Sequence, residues 1–501
     1  MKTLISFLPK AAAYFFILLF CYAAVSKLLD YENFQVQLAQ SPLLSAYAGT
    51  VAWAVIAAEL FIVILLVFPA SLRTGLYASF GLMVAFTVYI YLILNYSDFV
   101  PCSCGGILEK MGWTEHLIFN IFTLLLSTGA LFVSYRSSAL QFVLLLFGLT
   151  IGAGGMVVLL FLSSKNQSYE PKNIKRRFLP SVAEAATFTL NSDKYYFAGF
   201  SDRRLYLAQS DKPLLLTSFD PSLNFFEVKK MEAKQFYELP FRNLRMRVVG
   251  ETYYLYDGTV PVIFSGYVNG SNFKTVSKQD AYFSQLVIDN SSHFIILVQS
   301  TENHQFAFAE LNTERIPKVR IHNNILPYQK NGIFDIDGRM FYAQNYHNMV
   351  YMYSYRNEFL TWNTKTGIHK KFATLDATEP VDIPVIELKD GSRKMGAPNL
   401  KINEVGGIWQ NKLLINSSVR GLFETERQWR NNHIIDIYDT VNGHYLGSFF
   451  VKKVDTEKIT DILITDKWFY IIQGNTLKKY RINSHLKNIM TQGEAENLDP
   501  E

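Results

Sequence analysis

Charge is nearly absent from the first third of this chain. Residues 1–162 hold six basic side chains (Lys2, Lys10, Lys27, Arg73, Lys110, Arg136) and six acidic ones (Asp30, Glu32, Glu59, Asp98, Glu109, Glu115). Between them lie five apolar stretches, near 11–29, 49–68, 75–95, 116–134 and 140–162. Each approaches the roughly 20 residues that a helix needs to cross a bilayer. A chain so built folds with its first part in lipid. The remainder carries all of the net charge of +5, too diffusely for a nucleic-acid surface. With 501 residues, more than one domain is expected.

The short loops set an orientation. Lys2 and Lys10 precede the first span, Arg73 follows the second and Arg136 follows the fourth, so these sites share one side and read as cytoplasmic. The opposite loops, 30–48 and 96–115, contain one basic residue, Lys110. Five spans put the C-terminal part on that second side. Lys165, Lys172, Lys175, Arg176 and Arg177 after the last span run against this, but long domains translocate largely regardless of charge. The first span has no clear small-residue cleavage site and carries Lys27 near its end, so it reads as retained rather than as a signal peptide.

Three cysteines are present. Cys21 lies within the first span, too deep to serve as a resolving thiol, while Cys102 and Cys104 flank Ser103 in a polar break between spans three and four. A disulfide closed over one intervening residue is strained and easily reduced, which suits exchange. Pro101 and Gly105-Gly106 allow the tight backbone turn. The pair can also be read as a local clip on the loop, or as metal ligands, for which His116 is the nearest further candidate. Glu59, mid-span, is costly in lipid and so marks a site, with Lys27 as its natural partner. That pair reads either as a lock between two helices or as a proton relay. His116 and Asn120 share a helix face just after the cysteine loop, where His116 is a candidate proton shuttle or an interfacial histidine. No phosphate-binding glycine loop, Ser-His-Asp signature, His-Glu-x-x-His motif or nucleic-acid motif is present. No cofactor is evident.

From about residue 181 the pattern changes to short aromatic-rich runs separated by turn residues. Examples are Lys194–Ala198, Thr252–Tyr256, Phe294–Val298, Met340–Ala343, Lys412–Ile415 and Trp468–Ile472. Ile434–Asp439, a turn over 441–444 and Tyr445–Phe449 read as the outer hairpin of a propeller blade, as does Leu360–Gly367. The expectation is an all-β domain over 181–487, a β-propeller of about six blades, with a pair of β-sandwiches as the alternative. Residues 164–180 read as a basic tether and 488–501 as a disordered tail.

The first part resembles the MauE family of methylamine-utilisation membrane proteins, related to the DoxX group. The residues that carry the resemblance are Ser26-Lys27-Leu28 with Phe34, Glu59-Leu60, and Cys102-Ser103-Cys104-Gly105. Where the family shows Cys-x-Cys-Phe-Gly, this chain has Gly105-Gly106 after the second cysteine, which changes the surroundings of that thiol. The resemblance implies a four-helix bundle over residues 1–135, to which 136–163 adds a fifth transmembrane helix. It also implies a role in disulfide formation or electron delivery to extracytoplasmic proteins. Such fusions resemble those of Bacteroidetes-like bacteria, which implies a multi-pass inner-membrane protein with a periplasmic propeller.

Three functions compete. In the first, the chain is a thiol–disulfide exchange component whose propeller recruits the client, with a periplasmic thioredoxin-like protein as a further partner. One Cys pair is fewer than quinone-linked membrane oxidases relay through, so the chemistry gives quinone no support. In the second, the chain is a non-enzymatic scaffold: the helices anchor a propeller that binds a protein or peptide in an envelope complex. In the third, a transporter-like bundle uses Glu59 and Lys27.

Overall fold

The computed structural model describes residues 2–41, 44, 47–96, 112–134, 139–168, 174–180, 182–231, 239–270, 273–375, 385–388, 393–395, 401–454 and 457–492. They form two compact units. One comprises residues 1–170 with 383–400, the other 171–382 with 401–501.

The first unit is helical, with α1 (Lys2–Leu29), α2 (Tyr31–Gln40), α3 (Ala48–Val67), α4 (Leu72–Tyr96), α5 (Trp113–Ser134) and α6 (Ala139–Ser168). All but α2 are long and apolar enough to cross a membrane, and they coincide with the five stretches read from the sequence. Their outer faces are covered in large apolar side chains such as Leu18, Phe61, Leu125 and Leu159, as lipid contact requires. Their polar side chains turn inward: Glu59, Ser79, His116, Asn120, Thr123 and Ser127 are all buried. Gly75 lets α4 approach α3 closely, since a Cβ there would stand 2.8 Å from Leu66 Cδ2. The segment 30–48, expected as a loop, contains α2, which buries Phe34, Val36, Leu38 and Ala39. A short hairpin over Val385–Met395 also belongs to this unit. Gln40 Nε2 donates to Met395 O at 2.9 Å, and Lys394 Nζ to Asn33 Oδ1 at 2.6 Å.

The second unit is a six-bladed propeller. Strand β1 (Ala183–Thr189) comes first. Blade one follows with β2 (Tyr195–Ser201), β3 (Arg204–Gln209), β4 (Leu215–Phe219) and β5 (Phe226–Lys230). Blade two has β6 (Arg245–Val249), β7 (Thr252–Asp257), β8 (Val262–Tyr267) and β9 (Phe273–Lys278). Blade three has β10 (Gln285–Ile288), β11 (His293–Gln299), β12 (Phe306–Asn312) and β13 (Val319–His322). A one-turn helix, α7 (Ile333–Ile336), precedes blade four, made of β14 (Gly338–Ala343), β15 (Asn348–Tyr353), β16 (Glu358–Asn363) and β17 (His369–Ala373). The hairpin of the helical unit supplies β18 (Val385–Glu387) and β19 (Arg393–Met395). Blade five has β20 (Asn403–Trp409), β21 (Lys412–Ser417), β22 (Asn432–Asp439) and β23 (Tyr445–Lys452), with α8 (Glu426–Asn431) between its second and third strands. Blade six has β24 (Ile459–Ile464), β25 (Trp468–Gln473) and β26 (Thr476–Arg481), and takes β1 as its fourth, outermost strand. That pairing, with Phe188 opposite Leu477, closes the ring by joining the start of the domain to its end.

Each blade is held by its neighbours. In every second strand, successive side chains enter different clusters. Leu413 and Ile415 pack toward blade four, whereas Leu414 packs toward blade six. Phe294 and Ile296 pack toward blade two, Ile295 and Leu297 toward blade four. With both faces buried, these strands are apolar along their centres. The fourth strands of blades one and four, Phe226–Lys230 and His369–Ala373, are rich in charge and largely exposed, which protects those outer edges from pairing with other chains.

Two expectations about the chain's connecting segments change. The tether over 164–180 is partly structured: residues 164–168 continue α6, and residues 174–180 pack on the propeller. Ile174 and Leu179 are buried there, and Leu179 N donates to Ser448 O at 2.7 Å. The tail expected from 488 begins inside a helix, α9 (Ser484–Gln492). Leu486 and Met490 of that helix are buried with Leu179 and Val182, so an amphipathic pattern overrides the local polarity. Residues 493–501 lie outside the described ones.

Candidate functional site

One candidate site of the helical unit is built from α1 and α3. Lys27 occupies the last turn of α1, and Glu59 stands midway along α3. Lys27 Nζ donates to Glu59 Oε1 at 2.5 Å. The Glu59 side chain is fully buried, and that of Lys27 is 14 % exposed. The two residues are 32 apart in sequence, so their bond pins two spans together. Phe34 of α2 closes the site from one side, with its ring centre 5.6 Å from Lys27 Nζ. Glu59 Oε2 is buried and has no hydrogen-bond partner among the described residues. A buried oxygen left so is costly.

His116 lies in the first turn of α5 and is buried. Asn120 is one turn further along on the same face, as expected. The face continues through Thr123 and Ser127, both buried. Their spacing of three and four residues is the helical period, which could have revealed the whole stripe. Thr123 and Ser127 satisfy their hydroxyls on the backbone of their own helix, at Asn120 O and Leu124 O. Cys102 and Cys104 lie outside the described residues, as does Lys110. Cys21 is a free cysteine on the outer surface of α1.

The propeller adds charge clusters that the sequence reading did not single out. Arg176, counted there as a tether charge, is almost wholly buried. It bonds Asp436 through Nε at 2.9 Å, Glu424 through Nη1 at 2.9 Å, and Ser417 Oγ through Nη2 at 2.9 Å. Between blades three and four, His293 bridges Asp289 (2.9 Å) and Glu310 (3.2 Å), and His322 reaches Glu310 at 2.8 Å. Tyr342 of blade four donates to Asp289 at 2.6 Å. Glu310 and Asp289 hold the His293 imidazole above its ordinary range, against the opposing effect of burial. No group among the described residues has the arrangement of three or more His, Cys, Asp or Glu that a metal ion needs.

Comparison with known proteins bears on the helical unit first. Residues 5–135 match the family model of the methylamine utilisation protein MauE. The MauE match covers α1 to α5, and therefore Lys27, Glu59, His116 and the Cys102–Cys104 pair. α6 and the propeller lie outside it. No curated protein matches the chain. Among solved structures, BamB from Moraxella catarrhalis is 11 % identical, with 60 % of this chain and all of that one covered and a TM-score of 0.34. A DUF4221 family member from Bacteroides vulgatus is 10 % identical over 63 % of this chain and 99 % of its own, with a TM-score of 0.37. YCF48 bound to D1 peptide is 8 % identical over 62 % of this chain and 100 % of its own, with a TM-score of 0.34.

Proposed function

We propose that this protein is a multi-pass inner-membrane component of thiol–disulfide exchange, with Cys102 and Cys104 as its redox pair and the propeller as its client-recruiting domain. The observation that carries the reading is the MauE match over residues 5–135, within which the only closely spaced cysteines of the chain fall. In the reaction, a client thiolate attacks one sulfur of the Cys102–Cys104 disulfide and the other sulfur leaves as a thiolate. The client's second thiol then resolves the mixed disulfide. Two electrons and two protons pass to the pair, and the disulfide of a periplasmic thioredoxin-like protein restores it. His116, at the start of the helix that follows the pair, takes up the proton of an attacking thiol. The Lys27–Glu59 pair holds α1 against α3, so that the loop is presented on a fixed bundle.

One feature supports a periplasmic propeller. Five spans set the chain on the side of the cysteine loop if Lys2, Arg73 and Arg136 are cytoplasmic. The experiment is a trap: in Cys104→Ser or Cys102→Ser chains, the remaining thiolate of one variant should attack the disulfide of the thioredoxin-like protein and accumulate a mixed disulfide with it, and the double variant should not.

A second reading keeps the architecture without the chemistry. The propeller is a closed ring with no cysteine, and is sufficient as an anchored platform for an envelope protein or peptide. Under that reading, Cys102→Ser/Cys104→Ser cells behave as wild type.

A further inference from the structure

The first strands of the six blades line the axis of a propeller. Among their described residues the charged side chains are Arg245 and Arg247 of β6, Arg339 of β14, Glu404 of β20 and Asp461 of β24; β2 and β10 contribute none. Glu404 is taken by Lys458 at 3.2 Å. Arg245 stacks on Tyr196, 5.1 Å from the ring centre, and bonds Asn243. Arg247, Arg339 and Asp461 remain.

These three come from blades two, four and six, and they converge. Asp461 Oδ2 accepts from Phe197 N of blade one at 2.9 Å. Arg247 Nη1 donates to Phe197 O at 2.7 Å, so Arg247 and Asp461 grip the same residue. Arg339 Nη1 reaches across from blade four to within 3.8 Å of Asp461 Oδ1. Side chains of blades two, four and six can meet around one residue of blade one only at the axis. Arg247 is exposed to water. Asp461 is paired with Arg339 and lies in the field of Arg247, whose guanidinium also hydrogen-bonds Tyr256. Arg339 is the less satisfied of the two: its side chain is 44 % exposed, and its other contact, to Thr460 O, is long at 3.5 Å. A planar fork with free donors beside an uncompensated positive charge matches a carboxylate.

We propose that Arg247 and Arg339 form a carboxylate-binding site in the axial channel of the propeller, with Asp461 as the internal carboxylate that holds them in place until a ligand arrives. The ligand is a carboxylate carried either by a peptide, on a side chain or chain end, or by a small dicarboxylic acid. This site does not depend on the thiol chemistry, so a Cys102→Ser/Cys104→Ser chain should bind as wild type.

The test uses the full chain in lipid nanodiscs and a fluorescein-labelled peptide ending in three glutamates, read by anisotropy. A peptide with glutamines in their place is the control. The acidic peptide should bind at least about tenfold more tightly than the control, and more weakly as salt rises. Arg339→Gln, at an exposed position that the fold does not need, should cost about tenfold or more. Asp461→Asn keeps an acceptor for Phe197 N and removes the competing charge, so it should tighten binding. Arg204→Gln, on an outer part of blade one, should change nothing. Displacement of the peptide by equimolar succinate would identify a small dicarboxylic acid as the ligand; failure to displace it would identify a peptide. Equal binding of the acidic and glutamine peptides, absence of saturable binding, or an Arg339→Gln chain that binds as wild type would each overturn the proposal.

Discussion

Arg176 Nε lies 2.9 Å from Asp436 Oδ1, and through this bond the segment entering the propeller is fastened to the third strand of blade five. Glu424 receives the same guanidinium at 2.9 Å, and Asp436 is held in turn by Ser448 Oγ. Removing the cation leaves two carboxylates buried without a counter-charge. Arg176→Met should therefore destabilise the propeller by about 3–5 kcal/mol. Arg176→Lys, which keeps the charge but not the fork, should recover only part of that. Thermal unfolding of the full chain in detergent, followed by the β-sheet signal, checks both.

The Lys27–Glu59 bond makes a second prediction. Lys27→Met leaves a buried carboxylate in the span, and Glu59→Leu leaves an ammonium there. Each should lower the unfolding temperature of the helical unit. The double variant should recover most of the loss, with a coupling of about 1–3 kcal/mol. Additive single effects would show that the bond does not join α1 to α3.

Two propeller histidines should shift stability with pH in opposite senses. Burial, reinforced by Lys453 and Lys458, pushes His433 down to about 4 from an ordinary value near 6.5. The unfolded chain takes up this proton more readily, so stability is intact above about pH 6.5 and falls as pH drops toward 4. His293 is raised by Glu310 and Asp289. Its contribution is complete below the unfolded value and is lost as pH rises through the folded one. His433→Gln should flatten the acid limb of the stability profile, and His293→Gln the limb above neutrality. Urea titrations across pH 4–8 read both.

Blade packing makes a further prediction. Trp362 is buried between blades three and four, against Phe308 and Tyr351. Trp362→Ala should cost about 3–5 kcal/mol. It should lower the midpoint of denaturant unfolding while leaving the helical unit's transition in place.

What could be read from the chain follows from where its residues are buried. The second strands, such as Phe294–Val298 and Trp468–Ile472, are buried on both faces, so they are continuous apolar runs and stand out. Exposed outer strands such as Val319–His322 have no clear signature. The spans were plain because lipid demands apolar outer surfaces, and Glu59 stood out against that background. α2 and α9 were hidden because an amphipathic stretch of about ten residues between polar segments resembles a loop. The Arg176 cluster and the Arg247–Arg339–Asp461 group join residues far apart in the chain. Nothing in the local sequence distinguishes them from surface charges.

The most direct measurement is the redox state of Cys102 and Cys104 in growing cells. Cells are quenched in acid and their thiols tagged with a maleimide, in wild type and in each single Cys→Ser variant. Thiol–disulfide exchange is expected to show a mixed population in wild type and a partner trapped through the remaining cysteine in one variant. Thiols that stay wholly reduced or wholly unreactive, with unchanged growth of the double variant, would contradict it and leave a membrane-anchored propeller scaffold.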